Sequence, residues 1–197
     1  MTIDTKNINY IYVVAVDPGI NGGLSVVSTE VGAKPGNEQV LFMSLLPTTK
    51  IHGKVNLDTK ELAKMMGKLP IFYEYGTTFS AIERVNSRPQ QSISAMFRFG
   101  EAYGIMQGML AMLPGNRHTY YLNPAVWMRT FNIIKADKYG AMRVFCEIFS
   151  NNIKAMLWLK EYKLKKHNHL YEATLIGIYA LRHANSSIYN KPVNKRK

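Results

Sequence analysis

The chain has 197 residues, 47% of them hydrophobic, enough to bury one substantial core, and one compact domain is the expectation. Lys and Arg number 25 against 13 Asp and Glu, and the resulting formal charge of +12 points to a polyanionic partner, nucleic acid ahead of a membrane surface. No apolar run approaches the ~20 residues of a membrane span, and the start MTIDTKNINYIYVV has no cleavable apolar core, so a cytoplasmic location and no membrane partner are expected.

Residues 1–9 read as a polar lead-in. Tyr10 to Val16 then reads as a buried strand whose apolar run, Val13 to Val16, delivers one carboxylate, Asp17, into the Pro-Gly turn of VVAVDPGINGGL. An ionised carboxylate ending an apolar strand is costly unless a cation or hydrogen bonds compensate it. Asp17 equally suits the plain role of opening an Asp-Pro-Gly turn. Gly23 to Thr29 and Gln39 to Leu46 follow as the second and third strands of an antiparallel meander, separated by the turn VGAKPGNE. The polar stretch TTKIHGKVN leads to a helix over Leu57 to Lys68, with Asn56 or Asp58 as its cap and Pro70 as its stop.

Thr78 to Ile82 repeats the opening arrangement, an apolar strand followed at once by a lone carboxylate, Glu83. Gln90 to Leu113 reads as a long helix with Gly100, Gly104 and Gly108 on one face. That face suits the close approach of another element, or the glycines are simply tolerated at ~1 kcal/mol each against Ala. His118 to Leu122 is a short strand, and Asn123-Pro124 opens a helix over Ala125 to Phe131 that carries Trp127 and Arg129. A further helix over Lys138 to Phe149 holds Cys146, whose being the single cysteine excludes an internal disulfide and a Cys-based zinc site.

The segment 151–166 sets an apolar knot in a basic frame, where Lys160, Lys163, Lys165 and Lys166 suit either a solvated face or phosphate contacts. Leu170 to His183 is a strongly periodic helix, and residues 184–197 read as a basic tail. With no repeat or linker to divide it, the chain reads as a single domain with a core over about residues 10–183. The order of elements predicts an α/β domain with a mixed sheet flanked by helices.

Three places compete for chemistry: Asp17, Glu83, and the entry to the last helix, where His169 and Glu172 are three apart and share a face. Near a helix start the dipole disfavours an imidazolium, which would leave His169 neutral and able to ligate a metal. The same two residues also suit an ordinary polar first turn. As a ligand set, three carboxylates and one imidazole fit Mg2+ or Mn2+, and two such ions held ~4 Å apart can activate a water and stabilise the leaving oxygen in phosphodiester cleavage.

Taken together and in order, AVDPGINGGLSVV, AIERVNSRPQQSISAMFRFGEAYGIMQG, NPAVW...KADK and HNHLYEATLIGIYAL resemble the RuvC-type Holliday junction resolvases of the RNase H-like superfamily, most of all their bacteriophage forms. The likeness runs from about Val13 to Leu181. It implies an RNase H-like fold with a central mixed five-stranded β-sheet flanked by α-helices, and a metal-dependent endonuclease acting on branched DNA in recombination or repair. Asp17 falls on the family's first-strand aspartate and Glu83 on the glutamate of Ile-Glu-x-Val. Glu172 falls on the last acidic position, with His169 three residues earlier, where most members carry aspartate and some histidine. These four would hold two Mg2+, or Mn2+, with Asn168 or His167 supporting them.

Lys138 matches a lysine beside the metals that would stabilise charge on the scissile phosphate. Trp127 falls at the other familiar lysine position, with Arg129 two residues on. Asn86 stands where some relatives place a wedging aromatic, and Phe97 or Phe99 lies nearby. A two-fold junction cut on two strands implies a homodimer with two sites, and the glycine face of the long helix is the interface candidate. Arg84, Arg88, Arg129, Lys160, Lys163, Lys165 and Lys166 would touch phosphates without reading sequence. Two alternatives stay open: a broader RNase H-like nuclease acting on forks, flaps or RNA–DNA hybrids, and a non-catalytic DNA-binding protein that kept the fold.

Overall fold

The computed structural model describes residues 9–71, 76–84, 92–135, 139–152, 155–157 and 167–189. Over these run β1 (Tyr10–Asp17), β2 (Gly23–Glu30), β3 (Gln39–Leu45), β4 (Thr48–Ile51), β5 (Lys54–Leu57), α1 (Thr59–Met66), β6 (Gly76–Glu83), α2 (Ile93–Ala111), β7 (Asn116–Leu122), α3 (Pro124–Thr130), α4 (Gly140–Ile148) and α5 (Asn168–Tyr189). Five strands form one mixed sheet in the order β3-β2-β1-β6-β7. The meander β1-β2-β3 is antiparallel, and β6 and β7 join it in parallel on the far side of β1.

β1 is the central strand, and it is buried from Ile11 to Asp17 because helices cover both faces of the sheet. Side chains alternate across a strand, and the two cores divide by that alternation. Ile11, Val13 and Ala15 join Phe79 and Ala81 in a core with Trp127, Phe145 and Leu175 from α3, α4 and α5. Tyr12, Val14 and Val16 join Ile82 in the opposite core with Leu62 of α1 and Met106 and Leu110 of α2. Carried one step further, the alternation sends Asp17 and Glu83 to the face covered by α3 and α5. Both carboxylates are themselves the final residue of their strand.

Two expectations need correction. The stretch TTKIHGKVN is not a plain lead-in: Thr48–Ile51 pairs antiparallel with Lys54–Leu57 around a tip where His52 and Gly53 both have positive φ, 48° and 75°. A His-Gly pair serves the two-residue turn that Asn-Gly usually signals. The cap of α1 is Asp58, whose side chain accepts from the Glu61 N–H. The last helix does not stop at His183 but runs to Tyr189, so residues 184–189 belong to it and not to a tail. Packing outweighs the modest propensity of its Asn and Ser residues. Ala184 is fully buried, Arg182 Nε pairs with Glu38 Oε1 at 2.6 Å, and the Asn185 amide donates to the Ala33 carbonyl and accepts from the Gly32 N–H. These contacts fasten the far end of α5 to the β2–β3 connection.

Candidate metal centre

The parallel register of β1 and β6 matches Val16 with Ile82, so the next residue of each strand, Asp17 and Glu83, stand side by side at one end of the sheet. On the other flank of β1, Asp17 is the cross-strand partner of Gly23. A Cβ at Gly23 would lie 2.5 Å from the His169 carbonyl oxygen and 2.8 Å from its carbon. Only glycine lets the first turn of α5 rest on the start of β2 at this distance. That contact carries His169 to Asp17, 152 residues earlier in the chain.

The carboxylate of Asp17 therefore does more than open a turn. Its Oδ2 lies 2.6 Å from His169 Nδ1, and the same nitrogen lies 3.2 Å from Glu172 Oε2. Asn168 completes the group by donating from Nδ2 to Glu172 Oε1 at 2.6 Å. One ligand atom from each of Asp17, His169 and Glu172 lies within 4.8 Å of the others. Asp17 is nearly inaccessible, whereas the His169 side chain is 45% exposed, so the group opens to solvent through the imidazole.

Burial raises the Asp17 carboxyl to about 6, against the lowering effect of its bond to His169. Hydrogen bonds to Asp17 and then Glu172 raise the His169 imidazole to about 10. This reverses the expectation that the helix start would keep the ring neutral. Two carboxylates in contact outweigh a dipole effect of typically 0.3–1 kcal/mol. Without a metal, the proton on His169 supplies the positive charge that this acidic group needs. An acidic group that holds a proton on a histidine fits a divalent cation, which would take over the same compensation with oxygen donors and one imidazole.

Glu83 is not part of that three-residue group. Its Oε2 accepts at 2.9 Å from the indole Nε1 of Trp127 on α3. Of the four expected ligands, the structure thus brings three into mutual reach and sets the fourth beside them on the neighbouring strand, in the grip of an indole. In the sequence Trp127 stands out only by its match to a lysine position, and nothing there marks an indole as the partner of a glutamate. No apolar pattern in the sequence signals the β4–β5 hairpin either. It leaves the same end of the sheet and exposes Lys50 and Lys54.

Arg84 and Arg129 are exposed, Arg84 at the end of β6 with its backbone N–H on the Leu122 carbonyl and Arg129 on α3. Phe97 is 73% exposed on α2, and the Phe99 ring lies beside Gly19 of the turn after Asp17. Asn86, Arg88, Lys138, Lys160, Lys163, Lys165 and Lys166 lie outside the described residues. No described helix is long and apolar enough to cross a membrane.

No protein-family model matches the sequence, and no curated protein matches it. Solved structures do match the fold. The Thermus thermophilus RuvC structure is 19% identical with a TM-score of 0.55, covering 90% of this chain and 95% of that one. T. thermophilus RuvC in complex with a Holliday junction substrate is 17% identical with the same TM-score, covering 91% and 96%. The yeast mitochondrial Holliday junction resolvase Ydc2 is 14% identical with a TM-score of 0.52, covering 93% of this chain and 82% of that one. The mixed five-stranded sheet flanked by helices is a RuvC-like, RNase H-like fold.

Proposed function

We propose that this chain is a divalent-metal-dependent endodeoxyribonuclease that nicks the backbone of branched DNA, with four-way junctions as its preferred substrate. The observation that carries this reading is the meeting of Asp17, His169 and Glu172 beside Glu83, at the ends of two adjacent parallel strands in a RuvC-like fold. Asp17, Glu83, His169 and Glu172 would hold two Mg2+, or Mn2+. When bound, these ions activate water and stabilise the leaving oxygen of a phosphodiester. Burial gives Asp17 a fixed direction, and Asn168 holds Glu172 by one oxygen. Lys138 would offset charge on the scissile phosphate.

The substrate class follows from the charge of +12. Arg84, Arg88, Arg129, Lys160, Lys163, Lys165 and Lys166 would grip phosphates, and the hairpin adds Lys50 and Lys54 to that set. An acidic group repels phosphate, which argues against a protein that only binds DNA. A second copy is part of the proposal. The outer face of α2 presents Ile93 at 83% exposure, Phe97 at 73%, and Gly100, Gly104 and Gly108 with no atom of the described residues within 4 Å of an added Cβ. Two such faces, packed together, would give a homodimer with two sites. The kinship we propose is with the bacteriophage forms of the family, and the activity with DNA recombination and repair in the cytoplasm.

Synthetic four-way, three-way and RNA–DNA hybrid substrates, incubated with Mg2+, test the reading. The four-way junction should be cut fastest, and Asp17→Asn should abolish cutting while junction binding persists. Equal rates on all substrates would remove the preference for junctions and leave the broader nuclease. Unchanged nicking by Asp17→Asn would sink the metal site altogether.

A further inference from the structure

We propose that Trp127 is a positioning residue for cleavage, whose indole N–H fixes the Glu83 carboxylate beside, and apart from, the Asp17–His169–Glu172 group. This rests on the reading of Glu83 as a metal ligand. Trp127 is fully buried, and the one polar group of its side chain is the Nε1–H, a donor that needs an acceptor once water is excluded. Glu83 Oε2 is that acceptor, at 2.9 Å.

The two partners are held on a rigid frame. Leu122, the last residue of β7, is the register partner of Glu83, and the Arg84 N–H reaches the Leu122 carbonyl at 2.7 Å. α3 starts immediately afterwards, with Pro124 in its first turn and the Asn123 side chain accepting from the Ala125 N–H. Trp127 therefore stands at a fixed distance from the end of β6, and Glu83 cannot rotate its carboxylate without losing the indole.

The chemistry of the donor matters as well. Each carboxylate of the neighbouring group already meets the imidazole of His169. A neutral indole orients Glu83 without bringing a positive charge of its own. If Trp127 were only core filling, losing its N–H would cost stability and nothing else.

The experiment uses a Trp158→Phe background, since the chain has two tryptophans. Trp127 is replaced there by benzothienylalanine, which keeps the shape of the indole and lacks the N–H, and separately by Phe. Calorimetry with Mn2+ alone should show affinity lowered roughly ten- to a hundredfold in the isostere, with kcat on a four-way junction reduced and KM for the junction unchanged. Ultraviolet resonance Raman of the parent should show the N–H-sensitive indole band shifting on Glu83→Gln. Mn2+ affinity and kcat equal to the parent in the isostere overturn the proposal, whatever happens to the Phe variant's thermal stability. If Glu83→Gln itself binds Mn2+ and cuts normally, the reading of the site falls with it. If Glu83→Gln is inactive while the isostere is normal, only the role of Trp127 falls.

Discussion

His169 is raised to about 10 and Asp17 to about 6, and both shifts have the same sign of consequence. A group whose folded pKa exceeds its unfolded one stabilises fully below the unfolded value and loses that contribution as the pH rises through the folded value. In metal-free protein, Asp17 therefore withdraws stability between its ordinary 3.8 and about 6, and His169 between 6.5 and about 10. The melting temperature in chelator should fall along both limbs, and His169→Asn should flatten the upper one. Between pH 7 and 9, a cation must displace the His169 proton, so Mn2+ affinity should rise with pH, with a proton released in calorimetry across buffers of different ionisation heat. Affinity independent of pH in this range would separate His169 from the ligand set. Residue types at strand and helix ends made Asp17, Glu83, His169 and Glu172 legible in the sequence. The protonation of His169 and the indole on Glu83 were not, because both depend on partners brought together from far along the chain.

At the level of elements, the close seat of α5 on β2 hangs on one missing side chain. Gly23→Ala would drive a methyl group into the His169 backbone, which cannot give way as a flexible side chain would. The expected loss is on the order of 1–3 kcal/mol, typical of overpacking, together with weaker Mn2+ binding as His169 leaves Asp17. Denaturant unfolding and calorimetry check both, and a variant of normal stability would show that α5 seats some other way. The strands of the sheet were readable from apolar runs bounded by turns, since β1 is covered on both faces and its sequence shows it. The hairpin and the last turns of α5 were not readable. The hairpin exposes most of its side chains and so lacks an apolar alternation, and the end of α5 is held by Arg182 and Asn185 against a distant turn.

For the molecule as a whole, the two faces of α2 have opposite fates. Ala102, Met106 and Leu110 are buried against the sheet, while the outer face with its three glycines meets nothing among the described residues. Gly104→Ala should therefore strengthen the helix by about 0.5–1 kcal/mol, and yet weaken self-association by holding a second copy away. Thermal unfolding at low protein concentration and sedimentation velocity at high concentration read the two effects separately, and a stabilised variant with unchanged association would place the dimer contact elsewhere. The charge of +12 was legible from composition alone, whereas the preference for branched DNA that we propose is written in no single residue. The bond between His169 and Asp17 spans 152 positions and joins the first strand to α5. A ribosome-bound chain that has made β1 and β6 holds Asp17 without the imidazole that meets it in the finished fold. If the proposed nuclease activity holds, hydrolytic competence would thus arrive with the docking of one late helix, and a nascent protein would be harmless to DNA until its synthesis had passed that point.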